Sequence, residues 1–196
     1  NPDELYINDI AESADGYFFV GESSEGSGTL NSDGDYPRNA LIIKTDLSGN
    51  LTYIRRWGTG NANSEGVNSA LGVTGGSILL GGYDNNNAFL FRIAGTGAAP
   101  TVGTFNIRIN GAAFPPDLYI IQDIMQNSDG NYSCIGWEIT GLFPTFYSTV
   151  FKFNATTETQ MVGRGYTPTG LSSILPEGGL ASDQGYYWVM TDQQVG

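Results

Sequence analysis

One short pattern occurs four times in this chain, and it restricts the fold more than any other feature. Asp15-Gly16-Tyr17-Phe18-Phe19-Val20-Gly21 returns as Gly75-Gly76-Ser77-Ile78-Leu79-Leu80-Gly81. It returns again, one residue longer, as Asp129-Gly130-Asn131-Tyr132-Ser133-Cys134-Ile135-Gly136. A weaker copy is Asp183-Gln184-Gly185-Tyr186-Tyr187-Trp188-Val189-Met190. The step from Gly21 to Gly81 is 60 residues and that from Gly81 to Gly136 is 55, a period that signals stacked supersecondary units.

Each copy has companions. An apolar-centred stretch precedes it, as in Ile7-Asn8-Asp9-Ile10, Asn68-Ser69-Ala70-Leu71, Ile121-Gln122-Asp123-Ile124 and Ser172-Ser173-Ile174-Leu175. After the first three copies comes a run ending in a cation: Ala40-Leu41-Ile42-Ile43-Lys44, Ala88-Phe89-Leu90-Phe91-Arg92 and Ser148-Thr149-Val150-Phe151-Lys152. A fourth run then closes the unit, as in Leu51–Trp57, Thr104–Arg108 and Gln160–Arg164. All are short, rich in aromatic or β-branched residues and bounded by Gly, Asn, Asp or Ser, which is the strand signature. Several are apolar at consecutive positions, so both faces of those strands are expected to be covered. No helical period is present. The chain reads as all-β.

Four antiparallel strands repeated about every 55 residues are the signature of a β-propeller blade. Blades are expected near residues 5–58, 66–109 and 118–166, with a half blade over 171–196. About three and a half blades cannot close a ring and would leave sheet edges open. The chain is therefore expected to be a fragment of a longer propeller or to be completed by another chain. Two copies would supply seven blades' worth of strands.

In its order of Asp9-Ile10, Asp15-Gly16, Gly21, Lys44, Asp46, Gly49-Asn50 and Trp57, the first unit resembles bacterial secreted and surface propellers with kelch-like DG…G…K-D-x-x-G-N…W repeats. The second unit lacks the Asp-Gly and the Asp-x-x-Gly-Asn turn, and the third keeps Asp123-Ile124 and Asp129-Gly130 without that turn. The resemblance implies an extracellular or cell-surface location, as in surface proteins of Bacteroidota, and recognition carried by variable loops.

Composition narrows the chemistry. With 20 acidic against 8 basic residues the net charge is -12, which argues against nucleic acid and anionic membrane as partners. The 40% hydrophobic content argues against disorder. The absence of histidine removes Ser-His-Asp triads and His-ligated metals, and the single cysteine removes intrachain disulfides. No apolar run is long enough to span a membrane. No charged-then-apolar leader opens the chain, so an export signal is expected to have been removed or never included.

Few candidate sites remain. Asn31, Asp33 and Asp35 alternate in a polar loop with the spacing of oxygen ligands for calcium, although Tyr36 and Ile42 stand where an EF-hand needs Gly and Glu. Calcium is the one cofactor suggested. Phe143, Phe146, Tyr147 and Tyr36 fall in loop-like segments, where aromatics stack on sugars or anchor a protein interface. Lys44, Arg92 and Lys152 are read as rim cations facing water and discouraging edge pairing. Asp9 and Asp123 recur at matching places, which indicates a structural part such as bonding the neighbouring blade's backbone. The expected function is a non-catalytic interaction module binding a protein or glycan through its loops. The alternatives are a structural subunit of a larger surface assembly and a glycoside hydrolase using paired carboxylates.

Overall fold

The structure, a computed structural model, describes residues 4–24, 38–57, 65–73, 76–84, 87–95, 107–109, 118–140, 145–154, 160–166, 174–182 and 185–192. All the regular elements among them are strands, and every pairing is antiparallel between neighbours in sequence. Sheet I contains β1 (Glu4–Ser13), β2 (Gly16–Ser24), β3 (Arg38–Asp46) and β4 (Leu51–Trp57). Sheet II contains β5 (Glu65–Val73), β6 (Ser77–Asp84), β7 (Asn87–Ala94) and β8 (Ile107–Ile109). Sheet III is built from β9 (Leu118–Gln126), β10 (Tyr132–Thr140), β11 (Thr145–Phe153) and β12 (Gln160–Tyr166), and sheet IV from β13 (Ile174–Ser182) and β14 (Gly185–Asp192). The protein is thus a succession of antiparallel meanders. A closed ring is not seen among the described residues.

Local chemistry accounts for the turns. Between β3 and β4 the Asp46 carboxylate accepts the amides of Ser48 (2.9 Å) and Asn50 (2.8 Å) and the Asn50 side-chain amide (2.8 Å). Those bonds hold the Asp46 carboxyl below the usual carboxylate range. Gly49 takes φ 85° there, a left-handed conformation that a side chain disfavours. The β9–β10 turn works similarly, with Gly130 at φ 80° and the Asn131 amide bonded to Asp129 Oδ1 at 3.0 Å.

The first strand of every sheet is irregular at one matching place. The register slips between Ile7 and Asp9 and between Val67 and Ser69. It slips likewise opposite Ile135/Gly136 and between Pro176 and Gly178. The residues left over are Asn8, Asn68, Gln122 and Glu177, each the extra residue of a β-bulge. Opposite the first three bulges stands a glycine. A Cβ on Gly21 would lie 1.8 Å from the Tyr6 carbonyl oxygen, on Gly82 2.0 Å from that of Gly66, and on Gly136 1.9 Å from that of Ile120. The bulge presses one strand's backbone onto its partner, and only glycine leaves room. In the second unit the register puts Gly82, not the Gly81 matched by sequence, in this place.

Adjacent sheets pack face to face: β1, β2 and β3 lie against β5, β5 to β7 against β9, and β9 to β11 against β13. One core, between sheets I and II, contains Phe18, Val20, Ile42, Ile78, Leu80, Phe89 and Phe91. The next, between II and III, contains Leu79, Leu90, Ile121, Ile124, Cys134, Phe151 and Phe153. Ile78, Leu79 and Leu80 therefore go alternately into two cores, as do Phe89, Leu90 and Phe91. This is why those strands are apolar on consecutive positions.

Gly21→Ala is expected to cost about 3 kcal/mol, because backbone must part to admit the methyl, whereas Gly49→Ala, with nothing within 4 Å, costs about 1 kcal/mol through φ alone. Urea denaturation of the two variants measures the difference, and equal losses would contradict the bulge account.

Candidate functional site

Two groups of polar side chains sit at the junctions between sheets. The first follows from the bulges. Asn8, pushed out of register, sends its amide to sheet II, donating to the Val67 carbonyl at 3.0 Å and to Asn68 Oδ1 at 3.3 Å. Asn68 does the same toward sheet III, donating to the Ile121 carbonyl at 2.9 Å. The next residue reinforces each link. Asp9 Oδ2 accepts the Ala70 amide at 2.8 Å and the Ser69 hydroxyl at 3.3 Å, and that hydroxyl oxygen lies 3.1 Å from Asp123 Oδ1 and accepts the Ile124 amide at 3.2 Å. Asp9 thus bonds the neighbouring sheet's backbone, the structural part suggested by its recurrence.

Strand three adds a cation. Lys44 is only 2% exposed, and its Nζ donates to Asp15 Oδ1 at 2.6 Å and to the Gly95 carbonyl of sheet II at 2.9 Å, over the Phe18 ring. The expectation of a water-facing rim cation is wrong for this residue. Its register opposite Phe18 turns it toward the next sheet, where a long aliphatic stem packs and the ammonium finds oxygen. Arg92 occupies the matching place in sheet II and lies over Tyr132 of sheet III. Lys152 keeps the pairing with the turn aspartate, 2.6 Å from Asp129 Oδ2, but is partly exposed. Arg55 and Arg56 on β4 do face water.

The second group lies between sheets I and II at the end where β2 stops and β3 begins. Three buried carboxylates collect there: Glu22, Glu65 and Asp84, the last two opposite each other across β5 and β6. Arg38 Nη1 donates to Glu22 Oε2 at 2.7 Å and covers the Tyr6 ring at 5.0 Å. Gly66 leaves the space in which the Tyr83 ring and the Glu22 stem meet, since a Cβ there would be 2.7 Å from one and 2.8 Å from the other. Burial, and then the Glu22 charge, push the Tyr83 hydroxyl far above its ordinary value, so it stays a neutral donor. Half-exposed Arg38 and exposed Tyr6 present a guanidinium and an aromatic ring to solvent, while the carboxylates behind them make the field acidic. No group of three metal-ligating side chains among the described residues is placed to hold a metal ion.

No sequence motif marks Glu22, Glu65, Tyr83 or Asp84, because they converge from three strands, β2, β5 and β6. Asp84 is the last residue of β6, paired with Asn87. Phe146 and Tyr147, expected in a long loop, fall on β11 opposite Ile139 and Glu138, because Thr145–Phe153 is one β-prone run that pairs along the whole of β10. Phe143, Tyr36, Asn31, Asp33 and Asp35 lie outside the described residues. Cys134 is fully buried between sheets II and III, and desolvation pushes its thiol far above the ordinary value, so it is inert. The chain matches no known family model and no curated protein.

Lys44→Ala is expected to lose about 3 kcal/mol, since it empties a buried site and strands the Gly95 carbonyl. Lys152→Ala loses under about 1 kcal/mol, as exposed pairs do. Chemical denaturation of both checks the ranking.

Asp129 titrates at about 2, below its ordinary 3.8, chiefly because Lys152 and then Asn131 bond its charged form. A depressed carboxyl contributes stability that is complete above its unfolded value of about 4 and lost as pH falls toward 2. The urea midpoint of Asp129→Asn should therefore fall less than that of the parent between those two pH values, and parallel curves would contradict the assignment.

Proposed function

We propose that the chain forms blades of a β-propeller and acts as a non-catalytic interaction module, extracellular or at the cell surface, that binds a protein or glycan through its loops. The observation carrying this reading is where the polar side chains go. Asn8, Asp9, Asn68, Ser69 and Lys44 bond one sheet to the next. They serve a rigid stack, in which recognition falls to the connections at its ends. At one such end the Tyr6 ring and Arg38 guanidinium stand beside the link between β2 and β3, a pairing suited to stacking on sugar rings and to hydrogen-bonding their hydroxyls or a peptide. The repeat of sheets in chain order, each laid on the one before, supports the propeller reading, as does the resemblance of the first unit to kelch-like repeats. A secreted or surface setting rests on that resemblance alone.

Native electrophoresis through gels cast with soluble polysaccharides tests the glycan arm. Saturable retardation with at least one polysaccharide is expected, weakened about tenfold by Tyr6→Ala or Arg38→Ala. Unchanged mobility across a broad panel would leave only a protein partner.

A further inference from the structure

We infer that the outermost strands of sheets I, II and III form a rim that binds an anionic polysaccharide. This rim is separate from recognition by the loops and does not depend on ring closure.

Sheet packs on sheet through the first three strands of each meander. Among the described residues β4, β8 and β12 each have one edge that no strand pairs. Charge on these three strands is unlike that of the rest of the chain. They hold Arg55, Arg56, Arg108 and Arg164, four of the 8 cations, and none of the 20 acidic residues. Of the other cations, Lys44, Lys152 and Arg38 pair with carboxylates and Arg92 lies over Tyr132.

Register places the four arginines at one level. Gly21, Gly82 and Gly136, the glycines opposite the bulges, have Leu41, Phe89 and Thr149 as partners on the third strand. Leu41 pairs with Arg56 and Phe89 with Arg108, while Arg55 and Arg164 pair with the next residues along, Ile42 and Val150. The place on the other side belongs to Trp57 in sheet I and Tyr166 in sheet III, opposite Ala40 and Ser148. Arg55 and Arg56 are exposed.

An edge strand needs charge to discourage pairing, but in so acidic a chain Asp or Glu would serve as well. Arginine at all four places supplies instead a planar fork that bonds a carboxylate or sulfate through two N–H groups. An aromatic residue at the adjoining position suits a sugar ring. Successive sheets pack about 10 Å apart, so the rim fits a chain whose charges are widely spaced, as they are when sugar rings separate acid groups. A nucleic acid, with a charge every ~3.4 Å along each strand, would set most of its phosphates against the net-acidic remainder of the protein.

Retention on beads bearing polygalacturonate (carboxylate) or dextran sulfate (sulfate) is the test, with uncharged dextran beads as the control. At low salt the parent is expected to bind at least one charged polymer, to be released by added salt, and to ignore uncharged dextran. Arg55→Gln/Arg56→Gln, at exposed sites, is expected to bind at least about tenfold more weakly with unchanged far-ultraviolet dichroism. Arg164→Gln is expected to weaken binding as well. The polymer that binds identifies the anion. Failure to bind either polymer overturns the inference and leaves the arginines as guards of the strand edges. Binding that the variants leave intact, or that uncharged dextran matches, overturns it too. Displacement by single-stranded DNA at equal charge concentration would reassign the rim to nucleic acid and overturn the polysaccharide. Tyr6→Ala, which tests the loop reading, is expected to leave this binding unchanged, so the two proposals fail separately.

Discussion

The stack depends on a misfit inside each first strand. One extra residue, opposite a glycine in the first three sheets, throws the ladder out of phase, and where it is asparagine its side chain reaches another sheet. A regular strand would have left that amide along its own sheet or in water. Sheets packed only through apolar faces could slide, because hydrophobic contact is non-directional. A hydrogen bond from Asn8 to the Val67 carbonyl, with Asp9 on the Ala70 amide, fixes where sheet II sits on sheet I. The repeating glycines are thus the condition under which the sheets find register.

Charge is handled by burial with partners. Lys44 would be costly in a core without partners, yet its Nζ has both the Asp15 carboxylate and the Gly95 carbonyl. The same turn aspartate and strand-three lysine recur as Asp129 and Lys152 in a wetter setting, so one sequence pair serves as a core fastening in the first unit and a surface ion pair in the third. Near the start of β3 three buried carboxylates, Glu22, Glu65 and Asp84, gather instead, and Arg38 pairs with Glu22 there. Such a cluster keeps the neighbouring surface acidic and favours uncharged or cationic ligands there.

Much of the secondary structure was legible, and for a physical reason. Tyr17–Val20, Leu41–Ile43, Ser77–Leu80, Ala88–Phe91, Thr149–Phe151 and Tyr186–Met190, picked out by their aromatic and β-branched content, all fall within strands. The turn at Asp46-Leu47-Ser48-Gly49-Asn50 was equally readable, since Asp and Gly act on their own backbone. Less was legible of the sites. Glu22, Arg38, Glu65 and Tyr83 meet only after two sheets have packed. Lys44 was misassigned because a strand-end cation looks the same whether the next sheet or water faces it. The bulges also escaped, since alternation in sequence does not show which residue a partner strand leaves unpaired.

By itself the sequence determined that the chain is all-β and that its strands come in repeated antiparallel groups. These follow from side-chain pattern and turn chemistry, which act over a few residues. Tertiary structure alone decided the bulge positions, the shift from Gly81 to Gly82, the burial of Lys44 and the gathering of the acidic cluster. Each depends on the close approach of backbones distant in sequence, where a Cβ would sit 1.8 Å from a carbonyl oxygen, as at Gly21, and where a packed sheet separates a core lysine from a surface one.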